Sequence, residues 1–213
     1  MIELAHRPAG ALAAAIWDLR GDDRAVVDYV AAHIVRTQPS TIAVAGGETP
    51  RPILDMLRDR PLPWHRVTLT PTDERLVAPS DPASNYGMLS RALDRTPALI
   101  APLARDAVPR FDLVWLGMAA DGKIASLFSS ADVGKDPAET IVHTRPAPNS
   151  GHVQCARVSL SLPVLASAKD IILVIRGHEK KRFLECILRG ERDAPIGHLL
   201  RKAQTPVMIF WSA

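Results

Sequence analysis

Asp121-Gly122-Lys123, just beyond a short apolar run, brings a carboxylate, a tight turn and a cation to one point of the chain. Residues 111–116 are too few and too apolar for a surface helix and suit an interior parallel strand, with Gly117 and Asp121-Gly122 forming a loop and a helix start after it. At such a strand end, polar side chains and backbone N–H donors converge on one crevice. A second stretch has the same logic. Residues 41–45 read as a strand ending at Gly46-Gly47, and Glu48-Thr49-Pro50 opens a helix marked by Ile53, Leu54 and Leu57. The glycines admit backbone amides close to a ligand, Thr49 suits an N-cap and Pro50 the first helical position, so the turn suits a phosphate. Paired glycines fit an unliganded turn equally well, and the Glu48 carboxylate repels an anion unless it points away. A third stretch, Asp73-Glu74-Arg75 followed by Ser84-Asn85, reads by itself as a solvated, mutually paired loop and a helix cap.

The elements that must position these residues alternate. Val26, Val27, Val30, Ala31 and Ile34 recur at helical spacing over residues 23–37, with Asp22 or Asp23 as N-cap and Pro39 at the end. Residues 66–70 form a strand candidate. Residues 132–152, rich in Pro, Gly and charge, read as a long surface connection of the kind that serves as a lid or binding loop. Val158, Leu160 and Leu162 alternate with Ser159 and Ser161, which favours a strand with one solvated face. Leu165, Ala166 and Ala168 suggest a short helix. Residues 170–175 form a strongly apolar strand that breaks at Arg176-Gly177, and Phe183, Leu184, Ile187 and Leu188 mark the helix behind it. A short helix at 196–200 and a strand at 206–211 close the chain. The pattern predicts an α/β fold with a mostly parallel sheet and helices on both faces.

The 213 residues, 47% of them hydrophobic, suffice for one sizeable core, and residues 1–213 read as a single domain. A net charge of +3 without dense basic runs excludes a typical nucleic-acid binder while remaining compatible with a small anionic ligand. Cys155 and Cys186 have no metal-ligand spacing and make no disulfide framework, which points to a reducing cytoplasm. Residues 11–17 after Arg7 imitate a signal peptide, but Glu3 occupies the would-be basic region and the run closes at Asp18. No stretch is long enough to span a membrane. The sequence leaves oligomeric state open.

Taken in order, these blocks resemble the 6-phosphogluconolactonase family over nearly the whole chain. The resemblance is carried by Ala43-Val44-Ala45-Gly46-Gly47-Glu48-Thr49-Pro50, by Asp73-Glu74-Arg75 with Ser84-Asn85-Tyr86-Gly87, and by Leu116-Gly117-Met118 with Asp121-Gly122 and Ala125-Ser126-Leu127-Phe128. Arg157 to Pro163 and Gly177 with Lys180 match two further blocks. The resemblance implies a Rossmann-like fold shared with ribose-phosphate isomerases and glucosamine-phosphate deaminases, with no cofactor and no metal. It also implies hydrolysis of 6-phospho-D-glucono-1,5-lactone in the oxidative pentose phosphate pathway. The deaminase branch continues its Asp-Gly-His core with Ala-Phe-Asn-Glu-Pro, unlike Ala125-Ser126-Leu127-Phe128.

By the same resemblance Gly46, Gly47 and Thr49 hold the phosphate, with Asp73 also in the substrate site and Arg75, Arg157 and Lys180 as cationic partners. Asp121, Gly122 and Lys123 form the catalytic loop, with the amides of residues 122–125 as oxyanion donors. The chain departs from the family at Ala119, usually Gly, at Glu48, usually Ser, and at Lys123, where a histidine is the proposed base. Lys123 then acts either as a base made less basic by its surroundings or as a cation that polarises the lactone while another group positions water. His143 and His178 lie in or beside presumed site loops and offer replacement imidazoles. A second class stays open: a sugar-phosphate binder of the same fold that has lost catalysis, which Glu48 and Lys123 favour. A transcriptional regulator does not fit, because no DNA-binding segment accompanies the core pattern.

Overall fold

The most apolar runs of the sequence become the centre of one sheet. The structure, a computed structural model, describes residues 15–18, 20–103, 108–133, 140–146 and 155–213. In chain order the elements are β1 (Ala15–Asp18), α1 (Asp23–Arg36), β2 (Ser40–Val44), α2 (Pro50–Arg58), β3 (Val67–Pro71), β4 (Asp73–Arg75), α3 (Asn85–Ala92) and β5 (Leu99–Ile100). There follow β6 (Leu113–Gly117), β7 (Ile141–Thr144), β8 (Arg157–Leu160), α4 (Leu162–Ala166), β9 (Asp170–Arg176), α5 (His178–Leu188), α6 (Pro195–Lys202) and β10 (Val207–Ser212). Among the described residues seven strands form a wholly parallel sheet in the order β1-β10-β9-β6-β2-β3-β5. A smaller antiparallel sheet, β4-β8-β7, stands beside it.

Alternate residues of each central strand feed opposite cores, as the two-residue period of a strand requires. Val114, Leu116, Ile171 and Leu173 face α4, α5 and α6. Their neighbours Leu113, Trp115, Ile172 and Val174 face α1, α2 and α3. Asp22 caps α1 by accepting from the Ala25 amide at 2.8 Å, and Ser84 caps α3 by accepting from Gly87 at 2.9 Å. Strand order reverses between β2 and β6, since the chain builds outward from β2 to β3 and β5 and then returns to β6, β9 and β10. A crevice opens at such a reversal, beyond the carboxyl ends of the strands.

Several local expectations fail, each for an identifiable reason. No helix begins after Asp121-Gly122. The segment turns back on itself instead, with Met118 bridged to Ile124, the Ala119 amide donating to Lys123 O at 3.0 Å and the Gly122 amide donating to Ala119 O at 3.1 Å. Burial of Ile124 and Leu127 in the lower core holds it there. Gly122 has φ +81°, and a Cβ on it would come within 2.5 Å of Phe183 and 2.6 Å of Ala194, so the glycine serves both the turn and close packing.

Asp73-Glu74-Arg75 is a strand of the small sheet with Asp73 buried, not a solvated loop. Within 132–152, residues 141–144 form β7 with Ile141 and Val142 buried, and Ser130–Val133 is a 3-10 turn; residues 134–139 and 147–154 lie outside the described residues. Ser159 of β8 and Ser161, the N-cap of α4, are fully buried, so the face expected to be solvated is covered. The edge strands β1 and β5 carried no clear signal, being short and half exposed. Residues 11–14 of the rejected leader-like run lie outside the described residues, while residues 15–18 are β1.

Candidate functional site

A cleft of about 280 Å³ lies at the reversal point, walled by Gly46, Gly47 and Thr49 after β2 and by Met118, Ala119 and Lys123 after β6. The small sheet contributes Asp73, Arg75 and Arg157, and α5 contributes Lys180. The glycine turn is built by close packing. A Cβ on Gly46 would sit 2.0 Å from Asn85 Oδ1, whereas Gly47, at φ +92°, has nothing within 4 Å of its absent side chain and opens toward the cleft. Asn85 is the hub that sequence reading took only for a cap. Its Oδ1 accepts from Arg75 at 2.8 Å and its Nδ2 donates to Asp73 O at 2.7 Å. Arg75 also donates to Ala83 O at 2.9 Å, which fixes the guanidinium at the rim.

Glu74 faces away from the cleft. Its carboxylate accepts from the amides of Asn85 and Tyr86 at 2.8 and 2.7 Å and from Ser84 Oγ at 3.1 Å, so it caps α3 where the helix dipole favours an anion. Thr49 makes no side-chain cap bond and is itself in helical conformation, contrary to its expected N-cap role; it lines the cleft instead. Glu48 is largely exposed and pairs with Arg51 at 3.4 Å, which offsets its charge at the cleft mouth.

Asp73 forms part of the cleft floor and is itself buried. Ser126 Oγ donates to its Oδ2 at 2.5 Å and Thr72 Oγ1 to its Oδ1 at 3.2 Å. Burial pushes its pKa up, opposed first by the Ser126 bond and then by Arg75 and Arg157. A raised folded pKa gives a stability contribution that is full below the ordinary carboxyl value and is lost as pH rises through the folded value. The wild type is therefore expected to lose stability relative to Asp73→Asn as pH rises from about 4. Urea unfolding of both proteins over that range checks this, and a difference independent of pH would contradict it.

The four cations differ in setting. Arg157 is only 5% exposed; burial and Arg75 push its pKa down and Asp73 pulls it back. Burial also lowers the pKa of Lys180, against the opposing pull of Glu179. The Lys123 side chain is 11% exposed and its Nζ lies 2.5 Å from Asp121 Oδ2. Asp121 is exposed and outside the cleft wall; Gly122 is buried, also outside the wall, and its amide is already bonded to Ala119 O. The pair thus shapes and holds Lys123 from behind, and Gly122 cannot be the oxyanion donor that the expected helix start would have made it.

No histidine lines the cleft among the described residues. His143 is exposed on β7, and His178 stands edge-on to Trp211 with ring centroids 5.3 Å apart. Phe128 and Trp115, which sequence reading did not single out, do line it. Cys155 and Cys186 are both free. Among the described residues no helix is long and apolar enough to cross a membrane.

The model of the family described as glucosamine-6-phosphate isomerases/6-phosphogluconolactonase matches residues 23–103 and 94–209. A 6-phosphogluconolactonase of Caulobacter vibrioides is 32% identical over 194 residues, covering 80% of this chain and 82% of its own length. That of Mesorhizobium japonicum is 31% identical over 211 residues, covering 88% and 87%. The crystal structure of a 6-phosphogluconolactonase from Shewanella baltica superposes with a TM-score of 0.81 at 24% identity, covering 96% of this chain and all of that one, which places the fold.

Proposed function

The chain belongs to the family of glucosamine-6-phosphate isomerases and 6-phosphogluconolactonases, and on that premise we propose that it hydrolyses 6-phospho-D-glucono-1,5-lactone to 6-phosphogluconate, the hydrolytic step of the oxidative pentose phosphate pathway. The observation that carries the reading is the convergence of Lys123, Arg75, Arg157 and Lys180 with the open Gly46-Gly47 turn on one cleft. A phosphorylated lactone is a dianion with one electrophilic carbonyl, so it needs cations at one end and charge stabilisation at the other. Relatives of more than 30% identity carry the lactonase name rather than that of the deaminase branch, and residues 125–128 follow the lactonase pattern.

In this reading Gly47 and Thr49 face the phosphate, with Arg157 and Lys180 as its charged partners and Arg75 at the rim. Lys123 faces the carbonyl. Water adds to C1, the C1–O5 bond breaks, and a water proton ends on O5; the acid formed then ionises and releases a proton to solvent. Negative charge grows on the carbonyl oxygen as the water adds, and the Lys123 ammonium, oriented by Asp121, stabilises it. The polarising role is favoured over the base role because Lys123 Nζ lies 2.5 Å from Asp121 Oδ2, in ion-pair geometry that fixes where the side chain points. The free thiols and a sequence without dense basic runs fit a cytoplasmic enzyme of small sugar phosphates with no nucleic-acid partner.

The test is the loss of freshly generated lactone with spontaneous hydrolysis subtracted. A saturable catalysed rate is expected. Binding of 6-phosphogluconate without any rate above background would overturn the enzyme reading and leave a sugar-phosphate binder.

A further inference from the structure

We propose that Phe128 is a positioning residue for this reaction, its ring face holding the Lys123 ammonium and the Arg157 guanidinium in register for the substrate without neutralising them. The inference rests on the lactonase reading. Lys123 Nζ lies 5.6 Å and Arg157 Cζ 5.4 Å from the Phe128 ring centroid, both within the range over which a ring quadrupole attracts a cation. All three residues line the cleft.

The two cations come from separate parts of the fold, Lys123 from the turn after β6 and Arg157 from the start of β8. Brought to one dianion they repel each other in its absence. A carboxylate bridging them would hold them and also compete with the substrate. A ring face orients positive charge and leaves it available. Each cation has a carboxylate near it, Asp121 pairing with Lys123 at 2.5 Å from outside the cleft wall and Asp73, bonded to Ser126 and Thr72, acting on Arg157 by charge, so the ring is the group that both cations share.

The ring is itself held from outside the cleft. Asp132 Oδ2 accepts from the amides of Phe128 and Ser129, both at 2.9 Å, and from Ser129 Oγ at 3.1 Å. Ser130, in the same 3-10 turn as Asp132, donates to Asp193 at 2.6 Å and so ties the turn to the segment leading into α6. Phe128 therefore stands on a backbone fixed by bonds that do not involve the substrate.

The test replaces Phe128 with mono-, di- and trifluorophenylalanine, which drain the ring face stepwise while nearly keeping its shape, alongside Phe128→Leu and Phe128→Tyr. Log kcat/KM is expected to fall stepwise to about tenfold in total, with both KM and kcat affected and the melting temperature steady. Phe128→Tyr should recover most of what Phe128→Leu loses. A flat fluorinated series, whatever Phe128→Leu does, overturns the proposal and leaves the ring as packing. Should the wild type bind 6-phosphogluconate without hydrolysing the lactone, the lactonase reading fails separately, and Kd across the same series decides: a graded rise supports the positioning role and a constant value overturns it.

Discussion

Lys123→Ala is expected to lower kcat for the lactone by about 10²–10³-fold with a much smaller change in KM, the signature of an interaction made mainly in the transition state. The reason lies in the setting of Nζ, at the cleft wall, largely withdrawn from water and paired with Asp121. In such a site a fixed cation stabilises developing oxyanion charge far better than it would in solvent. The ground-state carbonyl carries little charge, so binding changes less than rate. Lys123→Arg keeps the charge and should retain more activity than Lys123→Ala. Steady-state kinetics of the three proteins check this, and equal kcat values in wild type and Lys123→Ala would remove Lys123 from the chemistry.

Arg157→Ala acts on the other end of the substrate. Loss of one charge-assisted bond to a dianion, worth about 1.5–3 kcal/mol, corresponds to a rise in KM of roughly 10–10²-fold. The same substitution leaves the buried Asp73 carboxyl without one of the cations beside it. Since burial already favours the protonated carboxyl, the folded state can hold the proton, and the stability loss should be small at low pH and grow as pH rises. Parallel titrations with 6-phosphogluconate and urea unfolding separate the two effects. A fall in kcat at unchanged KM and Kd would contradict the phosphate role.

The central strands β6 and β9 were legible because they are nearly unbroken apolar runs that end at glycine, whereas the edge strands β1 and β5 of the same parallel sheet are too short and too exposed to show such a run. The glycine turn was legible for a similar reason, although its cause was only half visible: Gly46 is small because Asn85 packs on it, and that contact joins residues far apart in sequence. Asn85 reads locally as a cap and Phe128 only as the end of the Ala125–Phe128 block, because the roles of both depend on tertiary neighbours. The failed helix after Gly122 shows the limit of local propensity. Asp121-Gly122 is as good a turn as a helix start, and the burial of Ile124 and Leu127 decided between them. Ser159 and Ser161 were misread as solvent-facing because alternation marks two faces without saying that both are covered.

The cleft is proposed to hydrolyse the lactone with a lysine cation where the family resemblance implies an imidazole. The measurement that bears on it most directly is the pH dependence of kcat for freshly generated 6-phosphogluconolactone, corrected for spontaneous hydrolysis, in wild type and Lys123→His. The wild-type catalysed rate should be nearly flat between about pH 6 and 8, and that of Lys123→His should show an ascending limb centred near the ordinary imidazole value of about 6.5. A wild-type rate no greater than background, or a wild-type profile that itself rises through neutrality, would contradict it.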